Sequence, residues 1–293
     1  MYLSIITPTY NREYMLHRLY ESLKVQTCKD FEWIVVDDGS SDKTRDLIYN
    51  FQKENIIKIN YIYKENGGKP SAHNEGVLAA KGELTICVDS DDALSIDAVE
   101  ITKKIWNQQK NKDIIGILAK RGDFINHVQI CGNWPSSLKE CKMIELQEKY
   151  KFYGDTALFF KTTLLQKNLF KIFKDEKFIP EDSLYVKLDN YGKMLLLDAV
   201  LYYCEYLPDG LTAKYKKLLL ENPMGTSYCY YLRMKQSHNL YYRLKNAIIS
   251  EAYLSISNCK CEYEKYDEGI LLFVAKLISP VYINIKKLRS EIK

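Results

Sequence analysis

Within the first 88 residues, four apolar β-branched or aromatic runs alternate with three stretches of helical period, and this alternation limits the architectures open to the chain. Residues 3–7 (LSIIT) end at Pro8, after which Leu16, Leu19, Leu23 and Val25 recur near helical spacing over 13–26. Residues 31–36 (FEWIVV), 57–63 (IKINYIY) and 83–88 (ELTICV) read as further strands, with helices over 41–51 and 71–80. Strands separated by helices cannot close as hairpins. They need crossovers, which are right-handed and build a parallel sheet, so the expected fold class is α/β.

Ligands in such a sheet gather beyond the carboxyl ends of the strands. The polar clusters of this sequence fall at those ends, over 7–11, 37–41, 65–69 and 89–92. A helix is expected over 95–106. Past residue 110 the period weakens, and 111–135 reads as strands mixed with loops. Helices follow over 162–169 and over 181–190, the latter opened by Pro180, and a strand over 193–203.

Beyond Gly210 the composition turns basic and Tyr-rich, with breaks expected at Pro223-Met224-Gly225 and near Cys259. Residues 211–250 hold seven Lys and Arg against Glu221 alone, a local charge of +6 that leaves −2 for the rest of a chain of net charge +4. Ten of the 24 tyrosines lie between Tyr202 and Tyr253. The eight cysteines form no CxxC pair, and Cys259-x-Cys261 is too isolated for a zinc site, so reduced thiols are expected. The opening MYLSIITPTY has neither the basic region nor the apolar run of a leader, and residues 269–285 are interrupted by Lys276 and Pro280. Cytoplasmic residence is the expectation.

Asp89-Ser90-Asp91-Asp92 sets three carboxylates within four residues directly after an apolar strand. Their mutual repulsion favours a cation, and an all-oxygen donor set suits a hard ion, Mn²⁺ or Mg²⁺. Alone, the same residues also suit the acidic start of a helix. A second acidic turn, Asp37-Asp38-Gly39-Ser40-Ser41-Asp42, sits at a neighbouring strand end, where Gly39 allows positive φ and Ser40 or Ser41 can cap the next helix. Gly67-Gly68-Lys69 adds a loop with one cation, far too short for a P-loop.

These motifs together resemble the family 2 glycosyltransferases. The family's opening S-I-I-x-P-T-Y-N-R stands here as residues 4–12 and its V-V-D-D-G-S-x-D block as 35–42. Its N-x-G-x-x-x-A-x-G-E segment stands as 74–83 and its D-S-D-D motif as 89–92. The resemblance implies a GT-A fold, with a Rossmann-like, mostly parallel central sheet flanked by helices and a C-terminal helical extension. Residues 1–110 would form the nucleotide-sugar half, 111–210 the acceptor half and 211–293 the extension. Pro8, Thr9 and Tyr10 would line the base, Asp38 would contact the uracil and Asp89 would lie near the ribose. Asp91 would bind the ion that bridges the diphosphate, with Asp92 as a further ligand or a partner behind it. Lys69 is assigned to the donor by position only.

Inverting members carry an acidic pair at the start of a helix in the second half, matched here by Glu181-Asp182 after Pro180. A carboxylate there can take the proton of the attacking sugar hydroxyl, with Asp182 as base and Glu181 orienting it or binding acceptor. Residues 204–212 (CEYLPDGLT) resemble a segment that follows the acceptor region in polysaccharide-building members, with no chemistry assigned. His73 and His238 are weaker candidates. The expected activity is transfer of a hexose or N-acetylhexosamine from a UDP-sugar to a saccharide acceptor, lipid-linked in many members. The basic segment, with Lys214, Lys216 and Lys217, suits peripheral contact with an anionic membrane. No nucleic-acid partner is expected. The rivals are a sugar-phosphate nucleotidyltransferase, which would carry a Gly-rich loop with Arg after the first strand, and a non-catalytic binding module.

Overall fold

Strands β1 (Leu3–Thr9) and β2 (Phe31–Asp37) are buried along their whole length, which is why apolar residues occupy both faces rather than strictly alternating, and why a polar pair such as Ser4 and Glu32 is hydrogen-bonded across them at 2.8 Å. They pair in parallel from Leu3 opposite Phe31 to Thr9 opposite Asp37, joined through α1 (Glu13–Lys24). The chain, a computed structural model described over residues 1–205, 210–257 and 269–291, continues through α2 (Thr44–Glu54), β3 (Ile59–Tyr63), α3 (Lys69–Ala79) and β4 (Leu84–Cys87). After β5 (Ala93–Leu94) and α4 (Ala98–Gln108) come β6 (Ile114–Asp123), β7 (Glu140–Cys141), α5 (Met143–Glu148), β8 (Thr156–Lys161) and α6 (Thr162–Lys167). The last elements are α7 (Asp182–Leu188), β9 (Lys193–Cys204), α8 (Leu211–Glu221), α9 (Pro223–Gln236), α10 (Leu240–Ile256) and α11 (Ile270–Glu291).

The strand and helix order expected over the first 88 residues is present, with local differences that have physical causes. Strand β1 runs on through Pro8 because β4 pairs only with Leu3–Ile6, so the missing N–H of Pro8 points past the end of its neighbour. Neither Ser40 nor Ser41 caps α2, which starts later, at Thr44, whose N–H donates to Asp42 Oδ1 at 3.0 Å. The two serine N–H groups donate instead to Asp37 Oδ1 and Asn11 Oδ1.

Two compact units divide the chain. The first comprises residues 1–142, 150–169 and 191–205 and holds a nine-stranded sheet of order β3-β2-β1-β4-β8-β6-β9-β5, with β7 beside β9. Strands β1 to β4 pair in parallel, as do β6 and β9, while β8 enters antiparallel between β4 and β6. On one face Leu3, Ile5, Trp33 and Val35 pack with Leu16, Leu19 and Leu23 of α1 and Ile48 and Phe51 of α2. The Tyr20 ring stacks on Phe51 with centroids 3.8 Å apart. The other face receives α3 at Gly76, where a Cβ would come within 3.2 Å of Ile6 and 3.3 Å of Val36.

The second unit comprises residues 143–149, 170–190 and 206–293, and its described elements are the helices α5 and α7 to α11. The Glu176 carboxylate accepts the N–H groups of Met224 and Gly225, each at 2.7 Å, and so closes the N-terminus of α9, which Pro223 opens. Leu219 of α8, Ile249, Ala252 and Tyr253 of α10 and Ile283 of α11 form its small apolar cluster. Cys259-x-Cys261 and residues 206–209 of the 204–212 segment lie outside the described residues.

Gly76→Val should therefore force α3 off β1 and β2. The expected cost is about 1–3 kcal/mol in urea unfolding, and an unchanged midpoint would show that the contact is not tight.

Candidate active site

The turn after β1 depends on Asn11, which holds φ at +50°. Its side-chain oxygen accepts the Ser41 N–H at 2.8 Å, and its own N–H donates to Ser40 Oγ at 2.9 Å. The turn after β2 uses Gly39 at φ +84°, where a Cβ would lie 2.9 Å from Asn66 N. Asp37 braces it, accepting the Ser40 N–H at 2.7 Å and the Tyr61 hydroxyl at 2.6 Å. Asp38 is buried, and its carboxylate accepts from Lys64 Nζ (2.8 Å), Gly67 N (2.9 Å) and Gly68 N (2.7 Å). It fixes the loop leading into α3.

Pro8 and Thr9 are buried at the end of β1, while Tyr10 is half exposed. Thr9 Oγ1 is buried with no hydrogen-bond partner, a deficit that a bound polar ligand can satisfy. Lys69 begins α3, and its Nζ lies 2.6 Å from Asp89 Oδ1. His73, further along α3, is buried.

One hydroxyl clips the acidic turn after β4. Tyr202 of β9, fully buried, accepts the Asp89 N–H at 3.1 Å and donates to Asp92 Oδ2 at 2.6 Å. Asp91 is held through its backbone: Arg18 of α1 donates to the Asp91 carbonyl at 2.8 Å and to Glu205 Oε2 at 2.8 Å. The Arg18 guanidinium carbon sits 4.0 Å from the Phe124 ring centroid. Arg121 lies over the Tyr202 ring at 4.0 Å, with its Nε donating to the Thr156 carbonyl. Burial opposes the Arg121 charge, but Tyr202, Asp89 and Asp92 outweigh it and raise its pKa. Burial and then Asp89 raise the Asp91 pKa. The same two causes push Asp92 up to about 8.

In the second unit Glu181 precedes α7 and Asp182 opens it. The Asp182 carboxylate, half exposed, pairs with Arg233 of α9, whose other terminal nitrogen donates to Gln147 Oε1. The Tyr185 hydroxyl reaches Glu181 Oε2 at 3.5 Å. His238, between α9 and α10, is exposed.

The family model described as glycosyl transferase family 2 matches residues 4–169. The chain belongs to this family. A Campylobacter jejuni relative, a GalNAc(5)-diNAcBac-PP-undecaprenol β-1,3-glucosyltransferase, is 29% identical over 221 residues, covering 72% of this chain and 67% of that one. Other curated relatives match over far less, with the chain spanning 34% of the length of one and 36% of another. Among solved structures, TarS 1–349 of Staphylococcus aureus is similar at a TM-score of 0.62 and 17% identity, over 100% of this chain and 92% of that one. A Pyrobaculum calidifontis mannosyltransferase, solved with GDP-Man and Mn²⁺, is similar at 0.55 and 16%, over 97% and 84%. The fold is GT-A, with its sheet and C-terminal helices as expected.

Among the described residues no three His, Cys, Asp or Glu side chains converge as a preformed cation cage. The donor chemistry of the family's acidic turn nevertheless fits a hard ion. Its side-chain donor atoms are all oxygens, and burial, then repulsion from Asp89, raises Asp91 and Asp92, the second a cost that a divalent charge would remove. Asp92 Oδ2 is already committed to Tyr202, so Asp91 would be the less encumbered carboxylate for such an ion. The family motifs did not point to Tyr202, Arg18, Arg121 or Arg233. In the sequence, Tyr202 is marked only by its place in the expected strand over 193–203 and in the Tyr-rich stretch.

Asp92, pushed up to about 8, keeps its proton in the folded chain at pH values where unfolded carboxyls have lost theirs, and Asp91 is shifted in the same direction. The unfolded state therefore binds fewer protons between about pH 4 and about pH 8, and stability falls as pH rises across that window. A cation competes with those protons, so Mn²⁺ should raise the melting temperature more near about pH 8 than near about pH 5. Equal shifts at both, or none, would remove the ion from this turn.

Proposed function

We propose that the chain is an inverting glycosyltransferase that moves a hexose or N-acetylhexosamine from a UDP-sugar to a saccharide acceptor in building a bacterial surface polysaccharide. The observation that carries this reading is the acidic turn at the end of β4, held at both ends by Tyr202 and facing Lys69 through Asp89. Pro8, Thr9 and Tyr10 would line the base, and the unpartnered Thr9 hydroxyl is the group there with most to gain from a polar ligand. Asp38 would lend the uracil what its carboxylate has left after Lys64, Gly67 and Gly68. Asp89 would lie near the ribose. Lys69 would meet the diphosphate at the first turn of α3, where the helix N–H groups also favour negative charge. Since the same fold in the Pyrobaculum enzyme carries GDP-Man, the choice of uridine rests on these side chains rather than on the sheet.

A divalent cation, Mn²⁺ or Mg²⁺, held by Asp91 with Asp92 beside or behind it, would offset the charge of the leaving diphosphate. Asp182 would accept the proton of the attacking hydroxyl, with Glu181 orienting it or binding acceptor. Arg233 would keep the Asp182 carboxylate in one orientation. A lipid-linked acceptor is supported by the Campylobacter relative, whose substrate is an undecaprenyl diphosphate. The exposed Lys214, Lys216 and Lys217 of α8 support work at an anionic membrane surface.

Hydrolysis of UDP-glucose, UDP-galactose and their N-acetyl forms with Mn²⁺ and no acceptor tests the donor class directly. No turnover of any of the four would remove the UDP-sugar reading. Asp91→Ala should abolish metal-dependent UDP binding and transfer yet remain folded, because Arg18 holds the Asp91 carbonyl rather than its carboxylate. Near-normal turnover by this variant would show that Asp91 is not the ligand. Asp182→Asn should leave UDP binding intact and slow transfer by at least roughly a hundredfold, the loss expected for a general base. Unchanged rates across pH would take Asp182 out of the reaction.

A further inference from the structure

Helix α11 is apolar on two sides. Ala275, Ser279 and Ile283, four residues apart, are buried, and Ile283 joins the cluster with Ile249, Ala252 and Tyr253 of α10. The opposite side carries Ile270 (83% exposed), Phe273 (63%), Leu277 (65%), Val281 (61%) and Ile285 (45%). Their spacing of three and then four residues lines them along one stripe, with Ile278 at its edge. A helix apolar all round is ordinarily covered all round, and an apolar stripe of this length left bare marks an interaction surface.

We infer that this stripe of α11 lies in the surface of an anionic lipid bilayer, apolar side chains down and Lys276 beside the headgroups. Three observations select that occupant. Residues 270–286 contain no acid, and Lys276, exposed, flanks the stripe one turn from Phe273, so that border complements a negative surface; Lys286 is exposed further along the helix, on the side of Ser279. The same unit exposes Lys214, Lys216 and Lys217 on α8. No helix among the described residues is long and apolar enough to cross a membrane, so α11 is suited to lie on a bilayer rather than span it. A second copy is the competing occupant. Pairing like stripes would bring the Lys276 at the border of each copy to the interface with no acid within residues 270–286 to receive it. The inference deepens the membrane part of the proposed function and rests on it.

The test is flotation of the full chain at low ionic strength with phosphatidylglycerol–phosphatidylcholine vesicles and with phosphatidylcholine vesicles alone. The wild type should float with the first and much less with the second. Phe273→Ser with Leu277→Ser should lower the floated fraction by about tenfold or more while UDP-sugar hydrolysis and circular dichroism stay unchanged, since both positions are exposed. Because a double variant can misfold, Phe273→Trp gives a second readout: its added fluorescence should shift to the blue and be quenched by brominated lipid. If the wild type floats but the serine variant floats equally, or the new Trp is not quenched, the α11 assignment is overturned while membrane contact through α8 survives. A wild type that stays unbound overturns both membrane readings and leaves the transferase reading to its own assay. A dimer in light scattering that the serine variant turns to monomer gives the stripe to a second copy and overturns the lipid assignment.

Discussion

Carboxylates buried at the ends of parallel strands set the terms for the first unit, because a buried charge must find donors, a counter-charge or a proton. The chain uses different solutions at two strand ends. Asp38 is met by an ammonium and two backbone N–H groups, and this draws the Gly67–Gly68 loop onto the end of β2 and sets where α3 begins. Asp92 accepts one tyrosine hydroxyl, and burial first, then Asp89 and Asp91, tilt it toward its protonated form. One end is closed by the protein itself. At the other, Lys69 on Asp89 and the nearby Arg121 still leave Asp91 and Asp92 raised, which is the condition under which a site is open to a cation.

The motifs themselves were legible because they are local. Two-sided apolar strands, a helical period and acidic turns can all be read within a dozen residues, and β1 to β4 and α1 to α3 lie close to where that reading sets them. What holds the motifs was not legible. Arg18 is 73 residues from Asp91, Tyr202 is 113 from Asp89 and Arg233 is 51 from Asp182. No periodicity carries information over such separations, and an arginine on the polar side of an amphipathic helix looks like any solvated charge. Ser40 and Ser41 failed as caps for a related reason, since Asn11, on another loop, offered the Ser41 N–H an acceptor. The division of the chain was equally hidden. Residues 143–149 belong to the helical unit although the sheet resumes after them, and composition does not register so short an excursion.

Arg18 also shows how the protein separates stability from chemistry at one residue. Its guanidinium is satisfied by a carbonyl, a carboxylate and an aromatic face, so it takes nothing from the Asp91 side chain. Tyr202 and Asp92 are coupled more tightly, because the hydroxyl that braces the turn also occupies an oxygen of the cluster. Substitutions at that pair will mix packing effects with electrostatic ones in a way that substitutions at Arg18 will not.

The sheet order has a consequence for how the chain is made. Among the described residues, strand β5 pairs with β9 alone, and the tyrosine that clips the acidic turn also belongs to β9. A ribosome that has released residues 1–110 has therefore delivered all four opening motifs but not the strand that clips the last of them, the acidic turn. For about a hundred residues more of synthesis, at roughly 5–20 residues per second, β5 waits unpaired and the acidic turn unclipped. An unpaired edge beside a cluster of like charges is exposed to wrong partners during that interval. The nascent N-terminal half is thus the stretch for which chaperone contact should matter most.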